Sequence, residues 1–340
     1  VYAIMRDRCW KIRASDGHVE AMMPVPPGKR QGWNYDWGYI ANVGELLLGS
    51  SVKEGSSFTS FWGNAKAGWY DATSGEVTHK VCSESLFAID KATSDRRWTY
   101  TQGLIVNPTI TLSEGTAYFV EVRDNSLSEG DARRLEGPKF WSKQYLVALN
   151  LETGEKRWEQ PLEVEPGTIV FYLAYGNDKL SLLTSANKQY HVYVHDAATG
   201  KRAWNQQFHW HEDRGDHGRH MSRPAIVGNR LYVRPAVFDL DLGNRLEMTV
   251  PDGGCGTYAC TSEALVFRDS ELTMWDADGG KTSKWTRLRP DCWLSTIPAN
   301  GMLLSPEGGG GCSCGSWLET SLGFRPKTVG PPVSPRVRSE

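Results

Sequence analysis

Short runs in which apolar and polar residues alternate, punctuated by tight turns, recur through most of this chain. The clearest is 145–158, YLVALNLETGEKRW. Leu146, Ala148 and Asn150 alternate with Val147 and Leu149, an apolar run suited to a sheet packed on both faces. Gly154 supplies the positive φ of a tight hairpin, and Thr153 can bond the turn backbone. A polar strand then closes on Trp158. The same unit returns as Asp90 leading KATSDRRW to Trp98 and Asp196 leading AATGKRAW to Trp204, the tryptophan always eight positions after the Asp or Asn. Weaker copies stand at Arg13 to Gly17, Asp239 to Gly243 and Asp276 to Gly280, with Trp285 one position late. Each unit has an upstream hairpin, around Glu114-Gly115, Asn177-Asp178, Gly228-Asn229 and Asn300-Gly301. No window keeps a helical period over ten residues, so almost no helix is expected.

From Asp90 onward the turns follow one another at 60, 46, 43 and 37 residues, a drifting period of about 40 to 50 that marks propeller blades rather than helical solenoids, and the longer first interval of 77 holds an insertion. The expected fold is therefore an all-β propeller of four-stranded antiparallel blades. Six turns and an unfinished unit at 292–324 make seven blades, and eight is the alternative if 23–100 folds as two. One propeller spans 1–324. Residues 51–82, with a near copy of the turn at Asp71 to Gly75, form one insertion, and the polar segment 124–140 forms a second. Residues 325–340 are a Pro-rich extension with no core of their own.

Composition narrows the function. The 38 basic and 40 acidic residues nearly balance, which argues against nucleic acid or an anionic membrane as partner. Fourteen tryptophans and 35 glycines suit many sheets joined by tight turns. No apolar run reaches the roughly 20 residues of a membrane span. The chain opens VYAIMRDR, without a signal peptide or an initiator Met, and a start almost inside a strand is expected to follow residues lying upstream. The seven cysteines leave one thiol unpaired within the chain.

The turn D-x-x-T-G-x-x-x-W preceded by L-x-A-L, strongest at 86–98, 146–158 and 192–204, resembles the repeat of PQQ-like, quinoprotein-dehydrogenase-like β-propellers. The late segments RPDCW, SPEGGGGCSCGSW and ETSLGF resemble uncharacterised bacterial extracytoplasmic members. The resemblance implies that Trp98, Trp158 and Trp204 dock between neighbouring blades, and that the chain works in the periplasm or outside the cell. The alcohol dehydrogenases of this superfamily place an adjacent Cys-Cys pair under the quinone. No two cysteines are adjacent here and C-x-x-C-H is absent, so neither PQQ-dependent dehydrogenation nor covalent haem is expected. Non-catalytic relatives include outer-membrane assembly lipoproteins, which act as protein-binding scaffolds.

The run from His209 to His220 holds four of the eight histidines within twelve residues, with three carboxylates among them. His209, His211, His217 and His220 are candidate ligands for zinc, manganese or iron. The alternative is a solvated polar loop. His217, His220 and Arg223 are catalytic candidates, Arg214, Arg219 and Arg223 being suited to grip an acidic sugar. Cys255, Cys292, Cys312 and Cys314 are candidates for disulfides joining the last blades, with a thiolate metal site as alternative. Trp33, Tyr35 and Trp37 alternate and are expected to share one face, which could stack on sugar rings but is explained more economically as core packing between blades. The leading expectation is a binding or scaffold module taking a protein or polysaccharide ligand on one face, near the 209–223 loop. A metal-assisted polysaccharide lyase or hydrolase using 209–220 is the alternative.

Overall fold

A computed structural model of the chain describes residues 1–57, 80–113, 115–135, 137–165, 171–186, 188–210, 222–251, 258–269, 271–286, 288, 296–306 and 320–325. These residues fall into two compact units, one of Val1–Glu212 with Asp239–Asn244 and one of Asp213–Phe238 with Arg245–Glu340.

The first unit opens on a three-stranded antiparallel sheet of Tyr2–Met5, Arg8–Ile12 and Val19–Pro24. A nine-stranded sheet follows, made of two four-stranded groups and a connecting strand. Tyr35–Val43, Leu46–Lys53, Cys82–Asp90 and Arg96–Tyr100 form one group. Thr111–Ser113, Thr116–Val122, Gln144–Asn150 and Lys156–Leu162 form the other. Leu104–Val106 links them, pairing with the start of Cys82–Asp90 on one side and the end of Thr116–Val122 on the other. Phe171–Gly176, Lys179–Ala186, Gln189–Asp196 and Arg202–His209 complete the unit as a four-stranded sheet.

The second unit holds two four-stranded sheets and one of three. They are Ala225–Val227, Arg230–Val233, Ala236–Asp239 and Arg245–Thr249, then Ala259–Cys260, Ala264–Asp269, Glu271–Asp276 and Thr282–Trp285. Ile297–Ala299, Met302–Ser305 and Leu322–Phe324 are the last. Sequential strands pair antiparallel because each is joined to the next by a tight turn. Among the described residues the α-helices are Asn125–Glu129 and Pro138–Trp141, both within the polar insertion. Asp124 caps the first by accepting from the Ser126 amide, and Pro138 opens the second.

The repeated turn has one construction. Asn150 Oδ1 accepts from the amides of Glu152 and Thr153, and the Gly154 amide donates to the Asn150 carbonyl at 2.8 Å. Asp90, Asp239 and Asp276 accept from their own second and third successors in the same way, and Asp196 from Thr199. The fifth residue is left-handed: φ is 72° at Gly154, 71° at Gly200 and 74° at Gly243. In the Asp90 copy it is Ser94, at 65°.

The core of the first unit is the apolar inward side of these strands, among them Val120, Leu146, Leu180 and Leu182, none more than 1% exposed. Two of the three alternating aromatics are core, as the more economical reading of the sequence has it. Tyr35 and Trp37 are buried, Trp37 stands edge-on to Phe87 with centroids 5.1 Å apart, and only Trp33 is half-exposed. Alternation placed the rings on one side of the strand but could not tell whether that side meets water. The other sheet packs there, and Gly49 lacks the Cβ that would stand 2.4 Å from the Trp37 ring.

Candidate functional site

The repeat's tryptophans are spent on holding sheets together. Trp98 Nε1 donates to the Leu151 carbonyl, Trp158 Nε1 to Ala197 and Trp204 Nε1 to Leu240, each acceptor being the residue just after the Asn or Asp of the next turn. Two residues beyond the indole, Gln160 donates to the Thr199 carbonyl and Gln206 to Gly243. Trp98 is buried, whereas Trp158 and Trp204 are half-buried with their rings against the turn glycine.

Polar chemistry gathers instead where the insertion 124–140 meets the ends of the strands Tyr35–Val43, Leu46–Lys53 and Cys82–Asp90. Lys53 Nζ donates to the carbonyls of Gly130, at 2.6 Å, and Ala132. Ser56 Oγ donates to the Arg133 carbonyl and Arg134 Nε to that of Ser56. Lys80 and Leu135 exchange both backbone bonds. Arg30 reaches from the 26–36 loop to the Gly130 carbonyl and to Asp131, 3.0 Å away. The segment is thus held both by hydrogen bonds to buried or half-buried groups and by Leu135 and Phe140, which are buried in the core.

Under this cover lies Glu84, 1% exposed. One of its oxygens accepts from Tyr35 Oη at 2.6 Å and from the Lys29 amide. The other has no hydrogen-bond partner, and Lys53 Nζ stands 3.8 Å from it. Burial lowers the Lys53 pKa against the pull of Glu84, and burial with the bond to Glu84 raises that of Tyr35. Above them Trp33 receives the Arg30 guanidinium at 4.6 Å and the Lys53 ammonium at 4.9 Å from its ring centre. Burial brings Lys80 down to about 7 and pushes the neighbouring Cys82 thiol up to about 12. Cys9 and Cys260 are likewise raised, to about 11 and about 12, so these free thiols are not nucleophiles near neutrality. The surface left facing water carries Arg30, Trp33, Asp131 and Arg133, an aromatic and ionic patch. Of these residues the sequence singled out only Trp33, as one ring of an aromatic face, and assigned no role to Arg30, Asp131 or Arg133. The available signal was the pairing of a polar insertion with a lysine, Lys53, at the end of an apolar strand.

Of the residues singled out in the sequence, His209 is exposed and ends the strand Arg202–His209, opposite Gln189, rather than lying in a loop. Its backbone continues the sheet because Lys188 accepts the next amide, that of Trp210. Arg223 is exposed and in irregular backbone. His211, His217, His220, Arg214 and Arg219 lie outside the described residues, as do Cys255, Cys292, Cys312 and Cys314. Among the described residues no three His, Cys, Asp or Glu side chains are gathered as metal ligands, and no helix is long and apolar enough to cross a membrane.

Repeated four-stranded antiparallel sheets, clipped turn by turn through tryptophan, define a β-propeller of the PQQ-like class. The family described as outer membrane protein assembly factor BamB matches residues 72–287, more than half of the chain, and the chain belongs to that family. Among solved structures it is similar to a chain of the mitotic checkpoint complex at 8% identity, covering 89% of this chain and 79% of that one with a TM-score of 0.51. It is similar to a europium-containing methanol dehydrogenase at 12% identity, covering 89% and 70%, also at 0.51. Against BamB from Moraxella catarrhalis the identity is 13%, the coverage 79% and 67%, and the TM-score 0.47. At these identities the first two show a shared fold alone. No curated protein matches the sequence.

Proposed function

We propose that the chain is an extracytoplasmic binding module, a propeller scaffold without bound quinone, which docks a protein partner on the patch built by 26–36 and 124–140. The observation that carries this is the anchoring of the insertion. Lys53, Ser56, Lys80, Arg134 and Arg30 hold it from below, so that Trp33, Arg133 and Asp131 are presented on a fixed frame. A surface ordered before it binds loses little entropy on docking, and Trp and Arg are the side chains that most often dominate protein interfaces. The family's description as an outer membrane assembly factor favours a place outside the cytoplasm and a protein partner over a polysaccharide.

A photo-reactive residue placed at Asp131, 84% exposed, tests this in the cells that make the protein. The expected result is a discrete protein adduct from position 131 and none from Leu242, which is 70% exposed on a turn far along the chain. Equal adducts from both positions, or none, would refute the proposal.

A further inference from the structure

Two arginines of the insertion, Arg133 and Arg134, border the turn that follows the strand Leu46–Lys53. Arg133 Nη1 lies against Gly55, where a Cβ would stand 2.8 Å from it, and Arg134 Nε donates to the Ser56 carbonyl at 2.8 Å. Their backbone is pinned to the same turn, since Ser56 Oγ donates to the Arg133 carbonyl at 2.8 Å. Two guanidinium groups are thus held beside consecutive residues, with Arg133 exposed and Arg134 half-buried.

The neighbouring carboxylates are engaged elsewhere. Asp131 pairs with Arg30 at 3.0 Å, Glu84 accepts from Tyr35 and faces Lys53, Asp36 accepts from the Gly55 amide at 2.7 Å, and Glu54 accepts from Asn34. Among the described residues no carboxylate stands within ion-pair distance of Arg133 or Arg134. Burial lowers the Arg134 pKa, yet a guanidinium stays charged in a protein. Two like charges close together, one of them partly desolvated, repel each other and leave N–H donors facing solvent. An anion set between them relieves both costs, and the two oxygens of a carboxylate match the forked donors of arginine.

We propose that the partner docked on this patch meets it with an acidic segment, seating an Asp or Glu side chain against Arg133 and Arg134 beside the Gly55–Ser56 turn. The inference rests on the reading of 26–36 and 124–140 as a protein-docking surface and adds the partner's chemistry to it. Charge of this kind sets which partner is accepted and how fast it arrives, more than how tightly it is finally held.

The test digests the adduct formed from the photo-reactive residue at position 131 and sequences the attached partner peptide by mass spectrometry. That peptide should hold Asp and Glu in excess over Lys and Arg. Arg133→Gln should weaken docking roughly tenfold, the loss of one charge-assisted bond, and lower the adduct yield with it. Raised salt in a cell extract should lower the parent's yield as well, and Arg133→Lys, which keeps the charge without the fork, should fall between. The Arg133 side chain makes no hydrogen bond or ion pair among the described residues, so its variants keep the test valid if Arg134→Gln does not fold. A neutral or basic partner peptide, or a yield unchanged in Arg133→Gln, would overturn the acidic partner while leaving the docking surface in place. No adduct from the parent would refute the docking surface itself, and this inference with it.

Discussion

The indole of Trp98 lies flat against the turn that Gly154 closes, so close that a Cβ on Gly154 would stand 2.5 Å from the ring. The same tryptophan donates to the carbonyl of Leu151 within that turn. Trp158 meets Gly200 and Trp204 meets Gly243 in the same manner, at 2.3 and 2.7 Å. The glycine thus answers two demands at once, a left-handed φ and room for the neighbour's ring. Where no ring arrives only the first demand remains. Gly17 and Gly280 have nothing within 4 Å, and Ser94 fills the equivalent place with its φ at 65°.

This separates two kinds of glycine by stability. Gly154→Ala and Gly200→Ala should each cost about 2–5 kcal/mol, the left-handed strain of about 1–2 kcal/mol plus a collision with indole. Gly17→Ala should cost only the strain, and Ser94→Gly should relieve up to about 1 kcal/mol. Urea denaturation of the four variants gives the order, and equal losses at Gly154 and Gly17 would show that the indole contact contributes nothing.

Lys53 and Glu84 are both buried, 6% and 1% exposed in their side chains. Removing one partner from such a pair leaves a buried charge unanswered, at about 3–5 kcal/mol. Lys53→Met should cost that much and also free the insertion, whose Gly130 carbonyl it holds. Limited proteolysis should then cut within 124–140, where the parent resists. Resistance equal to the parent's would mean that other contacts hold the segment.

Stability should fall on mild acidification. Burial, aided by Arg202, lowers the His195 pKa from an ordinary 6.5 to about 4. The folded chain refuses a proton that the unfolded chain takes, so the stability His195 contributes is present above pH 6.5 and lost as pH falls towards 4. At 4% exposed, the loss amounts to about 3 kcal/mol. His191, also lowered by burial, acts in the same direction. Glu159, held at about 2 by Arg123 and Lys156, adds a further loss as pH drops from 4.5. Melting curves from pH 8 to 4 should show the fall, and His195→Leu should flatten its first part.

The strands and turns were legible because their causes are local: period-two alternation, an Asp or Asn that binds its own turn amides, and glycine at a positive φ. Ser94 shows the limit, since only the Asp90 context reveals that a serine adopts the glycine's conformation. Burial of Tyr35 and Trp37 was the more economical reading of their alternation, but the pattern could not separate them from Trp33, which stays half-exposed, because a strand does not say where another sheet's cover ends. The patch at 26–36 and 124–140 depends on contacts such as Lys53 to Gly130, between residues far apart in sequence.

Cross-linking from position 131, read in an Arg133→Glu variant beside the parent, bears most directly on the binding patch. Arg133 is exposed and its side chain is not among the groups that tie down the insertion. The variant should melt within a few degrees of the parent, as surface substitutions do, while the protein adduct is lost or strongly reduced. An adduct of undiminished yield in a folded variant would contradict the assignment of this patch as the docking surface.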